Sequence, residues 1–138
     1  MASPLVQPPN PGLYPGTGLA TLLNTNTQVF LFVNQPIAAG SPGVSSIAVQ
    51  LERQKSSSYP FGFAIEILFS GAPGTFEVDV QGAEQDQNIS YCLLGTKITT
   101  VNGSNVARFE GVSLYPKFVR VNVPTMGNAV NMTALITR

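Results

Sequence analysis

The sequence predicts an all-β fold, an antiparallel β-sandwich or jelly roll with an extended Pro-rich N-terminal arm. Short segments rich in β-branched and aromatic residues recur along the chain, and Gly- and Pro-rich turns separate them. No stretch shows sustained helical periodicity with capping residues. Because 138 residues suit one domain, we expect residues 1–24 to form the arm and residues 25–138 to form a single β domain.

The arm is set apart by five prolines in its first 15 residues. Proline fixes φ and lacks an N–H donor, so neither a helix nor a central strand is expected there. A disordered tail is one interpretation, since chain termini are commonly loose. Disordered segments are usually charged and poor in apolar residues, however, and this one has apolar residues and no charged side chain. We therefore predict that it lies on another subunit, anchored by Leu5, Val6, Leu13, Tyr14 and Leu19.

The sequence of the first half of the β domain predicts four strands. Residues 27–33 are a continuous apolar run that is typical of a buried strand, and residues 44–51 follow a Gly-Ser-Pro-Gly turn. Residues 61–69 alternate with period two. Residues 75–81 are the clearest strand, since three apolar residues alternate with three polar ones and predict a half-exposed strand. The polar face of that strand consists of Glu77, Asp79 and Gln81.

The second half predicts further strands, for a total of eight or nine. Residues 91–94, 97–101 and 106–109 are short candidates. The last two are joined by Asn-Gly, whose tolerance of positive φ favours a tight hairpin. Residues 117–123 and 129–137 complete the domain, with alternating apolar faces at Val119, Val121 and Val123 and at Val130, Met132, Ala134 and Ile136.

Charge is scarce: the chain has 7 Lys and Arg, 7 Asp and Glu, and no His. An ordinary domain is about 25% charged. Serine, cysteine and zinc chemistries that depend on an imidazole are excluded, so we predict no enzyme activity, no small-molecule substrate and no cofactor. Nothing near the single cysteine, Cys92, supplies a base, which predicts a core thiol. A charge-poor surface is poorly protected against association and favours a subunit packed against neighbours.

Membrane and nucleic-acid partners are not expected. No apolar run approaches the roughly 20 residues that span a bilayer. The N-terminus lacks the basic and apolar regions of a secretory signal, which favours folding in a reducing cytosol. The formal net charge is zero and no basic run exists, so the counterion release that drives nucleic-acid binding is missing.

Two kinds of ligand site stay open as alternatives. The carboxylates of the 75–81 strand and the loop after it could hold calcium, although their spacing matches no known loop pattern. These are Glu77, Asp79, Glu84 and Asp86. Aromatic residues could form a sugar-stacking platform, although Trp is absent. These are Tyr14, Tyr59, Phe61, Tyr91 and Tyr115.

Three segments carry a resemblance to a known family: residues 107–123 (ARFEGVSLYPKFVRVNV), 127–134 (GNAVNMTA) and 74–80 (GTFEVDV). With the Pro-rich arm, the chain resembles small jelly-roll decoration, or cement, proteins of tailed bacteriophage capsids. The resemblance implies a protein made in the host cytoplasm and carried on the outside of an icosahedral capsid. It also implies dimers or trimers that bridge neighbouring major capsid subunits and stabilise the shell.

Charged residues near the C-terminal strands suggest contacts between subunits. Arg108, Lys117 and Arg120 could pair with Glu77 and Asp79 of a neighbour, although ordinary surface charges explain them equally well. Two other functions stay open: another virion component, such as a neck or tail protein or the coat of a small virus, and a receptor- or carbohydrate-binding module of a tail fibre.

Overall fold

A computed structural model describes residues 28–51, 62–111 and 116–138, together with the backbone of residues 21–23. Ten strands lie in this part of the chain. Their bounds are β1 (Thr21–Leu23), β2 (Gln28–Ile37), β3 (Val44–Ser45), β4 (Val49–Leu51), β5 (Phe63–Phe69), β6 (Glu77–Ala83), β7 (Cys92–Leu93), β8 (Val106–Gly111), β9 (Phe118–Thr125) and β10 (Val130–Thr137).

The strands form two sheets that pack together as a β-sandwich. The larger sheet has the order β1-β4-β9-β6-β7, with β3 also pairing with β9, and the smaller sheet has the order β2-β10-β5-β8. All pairs are antiparallel except β1 with β4, which are parallel. The all-β prediction is therefore confirmed.

The path of the chain between the sheets is that of a jelly roll. Apart from the short β1 and β3, the chain passes from the smaller sheet to the larger and back until β10 closes it, and only β6 and β7 follow each other in one sheet. The resulting orders, 2-10-5-8 and 4-9-6-7, have the two Greek keys of an eight-stranded jelly roll. Strands distant in sequence thus become neighbours, as β2 and β10 do.

The core lies between the sheets and follows the period-two pattern of the sequence. Val119, Val121 and Val123 of β9 are fully buried, and they face the alternate residues of β10 and β5 across the sandwich. The predicted apolar faces of β5, β6, β9 and β10 are confirmed. Aromatic rings complete the packing, since Phe69 and Phe76 lie 5.0 Å apart between ring centroids. A side chain on these faces is held by both layers.

The prediction of a strand at residues 27–33 is confirmed, but the prediction that this strand is buried is wrong. The strand exists as β2, but it is the edge of the smaller sheet and continues through Pro36 to Ile37. The pairing of β2 with β10 shifts register twice, so that Leu31 and Phe32 are both buried in succession. Phe30 and Val33 are left exposed.

The predicted hairpin around Asn102 and Gly103 is present only at its turn, where Asn102 and Val106 form a single antiparallel bridge with a hydrogen bond of 2.7 Å. The turn forms, with Gly103 at φ 67°. Residues 97–101, however, contain no strand and make only an isolated bridge from Ile98 to Val78. The strand after the turn, β8, pairs with β5. Two smaller differences are that residues 44–51 form two short strands and that ten strands are present in the described part of the chain, not eight or nine.

The predicted boundary between arm and domain falls just after β1. This strand, at the edge of the larger sheet, consists of Thr21–Leu23, which belong to the predicted arm of residues 1–24. Residues 1–20 lie outside the described residues, and so do the proposed anchors Leu5, Val6, Leu13, Tyr14 and Leu19.

Candidate interaction surfaces

The acidic face predicted on β6 is partly compensated within the chain by Lys97. The backbone of Ile98 exchanges hydrogen bonds with Val78 at 2.9 and 2.8 Å, which fixes the segment after β7 beside β6. Lys97 Nζ then donates to Asp79 Oδ1 at 2.9 Å and lies 3.6 Å from Glu77 Oε2. The hydrogen bond to Asp79 raises the pKa of Lys97. Asp79 is only 8% exposed, which corrects the expectation of a half-exposed residue.

Arg108 belongs to the other sheet and has its own partners. Its Nε donates to Glu110 Oε1 at 3.1 Å, and its Nη1 lies 3.9 Å from Glu66 Oε2. All three side chains lie in the outer face of β5 and β8, where the register sets Glu66 opposite Arg108. These exposed pairs contribute little to stability but make this part of the surface polar.

Arg120 orders the loop between β6 and β7. Its guanidinium carbon lies 3.9 Å from the ring centroid of Tyr91, its Nε donates to Gln81 at 2.8 Å, and its Nη1 donates to Asn88 at 2.7 Å. Burial lowers its pKa. The Tyr91 hydroxyl donates to Asp86 at 2.6 Å. Arg120 of β9 therefore anchors this loop by a hydrogen bond to Asn88 and by stacking on Tyr91, and Gln81 of β6 holds the guanidinium in place.

The five charged residues predicted for contacts between subunits are not brought together. Arg108 lies on the smaller sheet, whereas Glu77, Asp79, Lys117 and Arg120 lie on or beside the larger one. Lys117 donates its backbone N–H to Glu84 at 3.0 Å, and its ammonium lies 5.6 Å from the Phe118 ring centroid. Intersubunit pairing stays a prediction. Sequence reasoning missed Lys97, because its partner Asp79 is 18 residues away and no local pattern links them.

One exposed apolar group lies at the tip of the loop that Arg120 orders. Ile89 sits in a single 3-10 turn, Asn88–Ser90, and is 92% exposed. Leu93 and Cys92 of β7, the edge strand beside this loop, are also exposed, and as consecutive strand residues they lie on opposite faces of the sheet edge. The core-thiol prediction for Cys92 is therefore wrong, because β7 is an edge strand of only two residues. We call Ile89, Cys92 and Leu93 the β7 tip.

A second exposed apolar group lies on the outer face of the smaller sheet. The register sets Phe30 opposite Leu135, and Leu68 opposite Thr133 in the next row. Phe30 is 52% exposed and Val33 70% exposed, and Leu68 is exposed as well. We call Phe30, Val33, Leu68 and Leu135 the β2 face. It is bounded on the β8 side by the charged residues around Arg108.

Two open grooves lie in the described part of the chain. One groove of 360 Å³ is lined by residues 95–100 with Arg108, Phe109 and Glu110, and another of 380 Å³ lies at the ends of β2 and β10. Among residues 28–51, 62–111 and 116–138, no group of three His, Cys, Asp or Glu residues could hold a metal ion. Of the aromatic residues considered for sugar stacking, only Tyr91 is described, and Arg120 stacks on it.

Comparisons with known proteins found no relatives of this chain. No family model matches it, and the searches of curated proteins and of solved structures found no match. In the described residues, no helix has the length and apolar character needed to cross a membrane.

Proposed function

We propose that this protein is a structural virion protein, a decoration protein that binds the outside of an icosahedral phage capsid and bridges neighbouring major capsid subunits. One observation carries the proposal: large apolar side chains are held in solvent on ordered elements of a jelly roll that has few charges. Exposed apolar surface of this kind suits a protein that functions by forming an interface with other subunits, and not by reacting with a substrate.

The β7 tip is the surface that we assign to the shell. Arg120 holds the loop through Tyr91 and Asn88, so Ile89 is presented without a large loss of loop entropy on binding. Burying one such side chain contributes about 2 kcal/mol. A single contact of this size is weak, but a decoration protein that engages several capsid subunits at the same time gains strength from multivalency.

The test is cosedimentation of the full chain with undecorated shells of the major capsid protein encoded in the same genome. We expect wild type to bind and Ile89→Asp to bind at least tenfold more weakly, because about 2 kcal/mol of apolar burial is lost and a charge is left in the contact. Gln85→Asp is the matched control, since it adds the same charge to an exposed position of the same loop.

Two results would contradict the proposal. If wild type fails to bind any shell, the decoration role is wrong. If Ile89→Asp and Gln85→Asp weaken binding equally, the β7 tip is not the contact. Circular dichroism of each variant shows whether the sandwich is intact.

A further inference from the structure

The β2 face is an apolar surface that the fold leaves unpartnered. Phe30 and Leu135 are paired in one row across β2 and β10, which Glu66 and Arg108 continue on β5 and β8, and Leu68 lies on β5 in the next row, opposite Thr133. β2 itself has 10 residues and no charged side chain. The other long edge strand, β8, carries Arg108 and Glu110, and β1 and β7 are short. Charge and shortness are two of the devices that protect sheet edges, and β2 has neither, although Pro36 and two register shifts interrupt it.

The chain outside the described residues contains a segment of matching chemistry. Residues 1–20 have no charged side chain and five apolar candidates for anchors, among them Leu13, Tyr14 and Leu19. They lead into β1, which is the edge of the larger sheet and contacts β2. Five prolines remove donors that edge pairing needs, so contact through side chains on a sheet face suits this segment better than addition of a regular strand.

We propose that residues 1–20 of one copy dock on the β2 face of a second copy. The segment is long enough to reach a second copy. In polyproline II geometry 20 residues span about 60 Å, whereas β2, with its 10 residues, spans roughly 33 Å. Proline-rich segments are also semi-rigid, which favours projection to a neighbour over reversal onto the same sheet. The inference deepens the proposed function, on which it rests for the need of a bridging protein to self-associate.

The experiment uses only the purified full chain, so its failure is distinct from a failure of shell binding. Two single-cysteine proteins are prepared in a Cys92→Ser background, because Cys92 is exposed and would itself react. Leu13→Cys places a thiol on the segment, and Val33→Cys places one on the β2 face. The two proteins are mixed under mild oxidation, and one carries an affinity tag so that mixed dimers can be separated.

We expect the mixture of Leu13→Cys with Val33→Cys to give a disulfide-linked mixed dimer. Its yield should be several times the yield from a mixture of Leu13→Cys with Thr99→Cys. Thr99 is a matched control because it is exposed and lies away from the β2 face. Equal yields in the two mixtures would overturn the proposal. The double variant Leu13→Cys, Val33→Cys gives a further check. If it forms its disulfide only within one copy and gives no disulfide-linked dimer, the proposal is also overturned.

A second measurement needs no cysteine chemistry. Light scattering should show that Leu13→Asp with Leu19→Asp shifts the full chain toward the monomer, whereas Thr17→Asp, which adds charge to the same segment without removing an apolar residue, leaves the oligomer intact. An unchanged oligomer in the Leu13→Asp, Leu19→Asp variant would count against docking by this segment.

Discussion

The carboxylate of Asp79 leaves water when β6 takes its place in the sheet, and Lys97 supplies the compensating charge. The pair is asymmetric, because Asp79 is largely buried while the Lys97 side chain stays 41% exposed. A carboxylate in this position is costly when it is unpaired. The interaction therefore acts mainly by making the burial of Asp79 tolerable, and it fixes residues 95–100 against β6.

We predict that Lys97→Met destabilises the protein and that the loss depends on pH. The folded-state pKa of Lys97 is raised above its ordinary value of 10.5. The stabilisation is therefore fully present below pH 10.5 and is lost as the pH rises through the raised pKa. Urea denaturation should show a constant difference between wild type and Lys97→Met from neutral pH to about 10, and a smaller one above it.

Arg108→Met is the control for this prediction. It removes an exposed pair with Glu110, for which a loss of about 0–1 kcal/mol is expected. If Lys97→Met were no more destabilising than Arg108→Met at neutral pH, the importance of the Asp79 pair would be contradicted.

At the scale of elements, two turns at one end of the sandwich are locked together. The β9–β10 turn packs on the β5–β6 turn, where Asn128 donates its backbone N–H to the carbonyl oxygen of Pro73 at 2.9 Å and its side-chain amide to that of Ala72 at 3.1 Å. Gly127 lies at the closest approach. A Cβ at this position would be 2.7 Å from the backbone nitrogen of Thr75 and 2.8 Å from its carbonyl oxygen. Only glycine fits without moving a backbone.

We predict that Gly127→Ala destabilises the fold by about 1–3 kcal/mol, because backbone atoms must shift to admit the methyl group. Gly71→Ala, in the neighbouring turn, is the matched control: its Cβ would meet nothing within 4 Å and its φ is not positive. A change below about 1 kcal/mol is expected there. Thermal or urea unfolding measures both. Equal losses in the two variants would show that the close approach at Gly127 does not limit stability.

The elements that the sequence predicted well are those whose two faces differ. Val119, Val121 and Val123 alternate with polar residues because β9 is buried on one side only, and that period appears in the sequence. The apolar run of β2 carried no such signal. Its two register shifts break the alternation, and the exposure of Phe30 and Val33 depends on which strand lies beside β2.

The sequence also did not predict which strands pair with each other, because strand pairing depends on distant parts of the chain. The Asn102-Gly103 turn follows from local chemistry, but the partner of β8 is β5, about 40 residues away. The candidate surfaces were missed for the same reason. Ile89 and Leu93 gave no periodic signal, and the contacts of Arg120 with Gln81 and Tyr91 arise only when β9, β6 and the intervening loop meet.

For the whole molecule, the scarcity of charge determines which force can drive association. The chain has 14 charged residues, formed of 7 basic and 7 acidic ones, and no net charge. In the described part of the chain, Glu77, Asp79, Glu66 and Glu110 are already paired with Lys97 or Arg108. These four carboxylates share two cations, and the chain has few charges in total, so contact with neighbours should depend mainly on apolar burial.

We therefore predict that binding to shells is insensitive to salt and weakens on cooling. Between about 0.1 M and 1 M NaCl the Debye length falls from about 10 Å to about 3 Å, which strongly weakens interactions between exposed charges but leaves apolar burial intact. Cooling reduces the hydrophobic contribution. Binding isotherms at both salt concentrations, and at low and physiological temperature, measure the two effects. A tenfold or larger loss of affinity at high salt would mean that charges drive the contact, and the roles assigned to Ile89 and Leu93 would then be wrong.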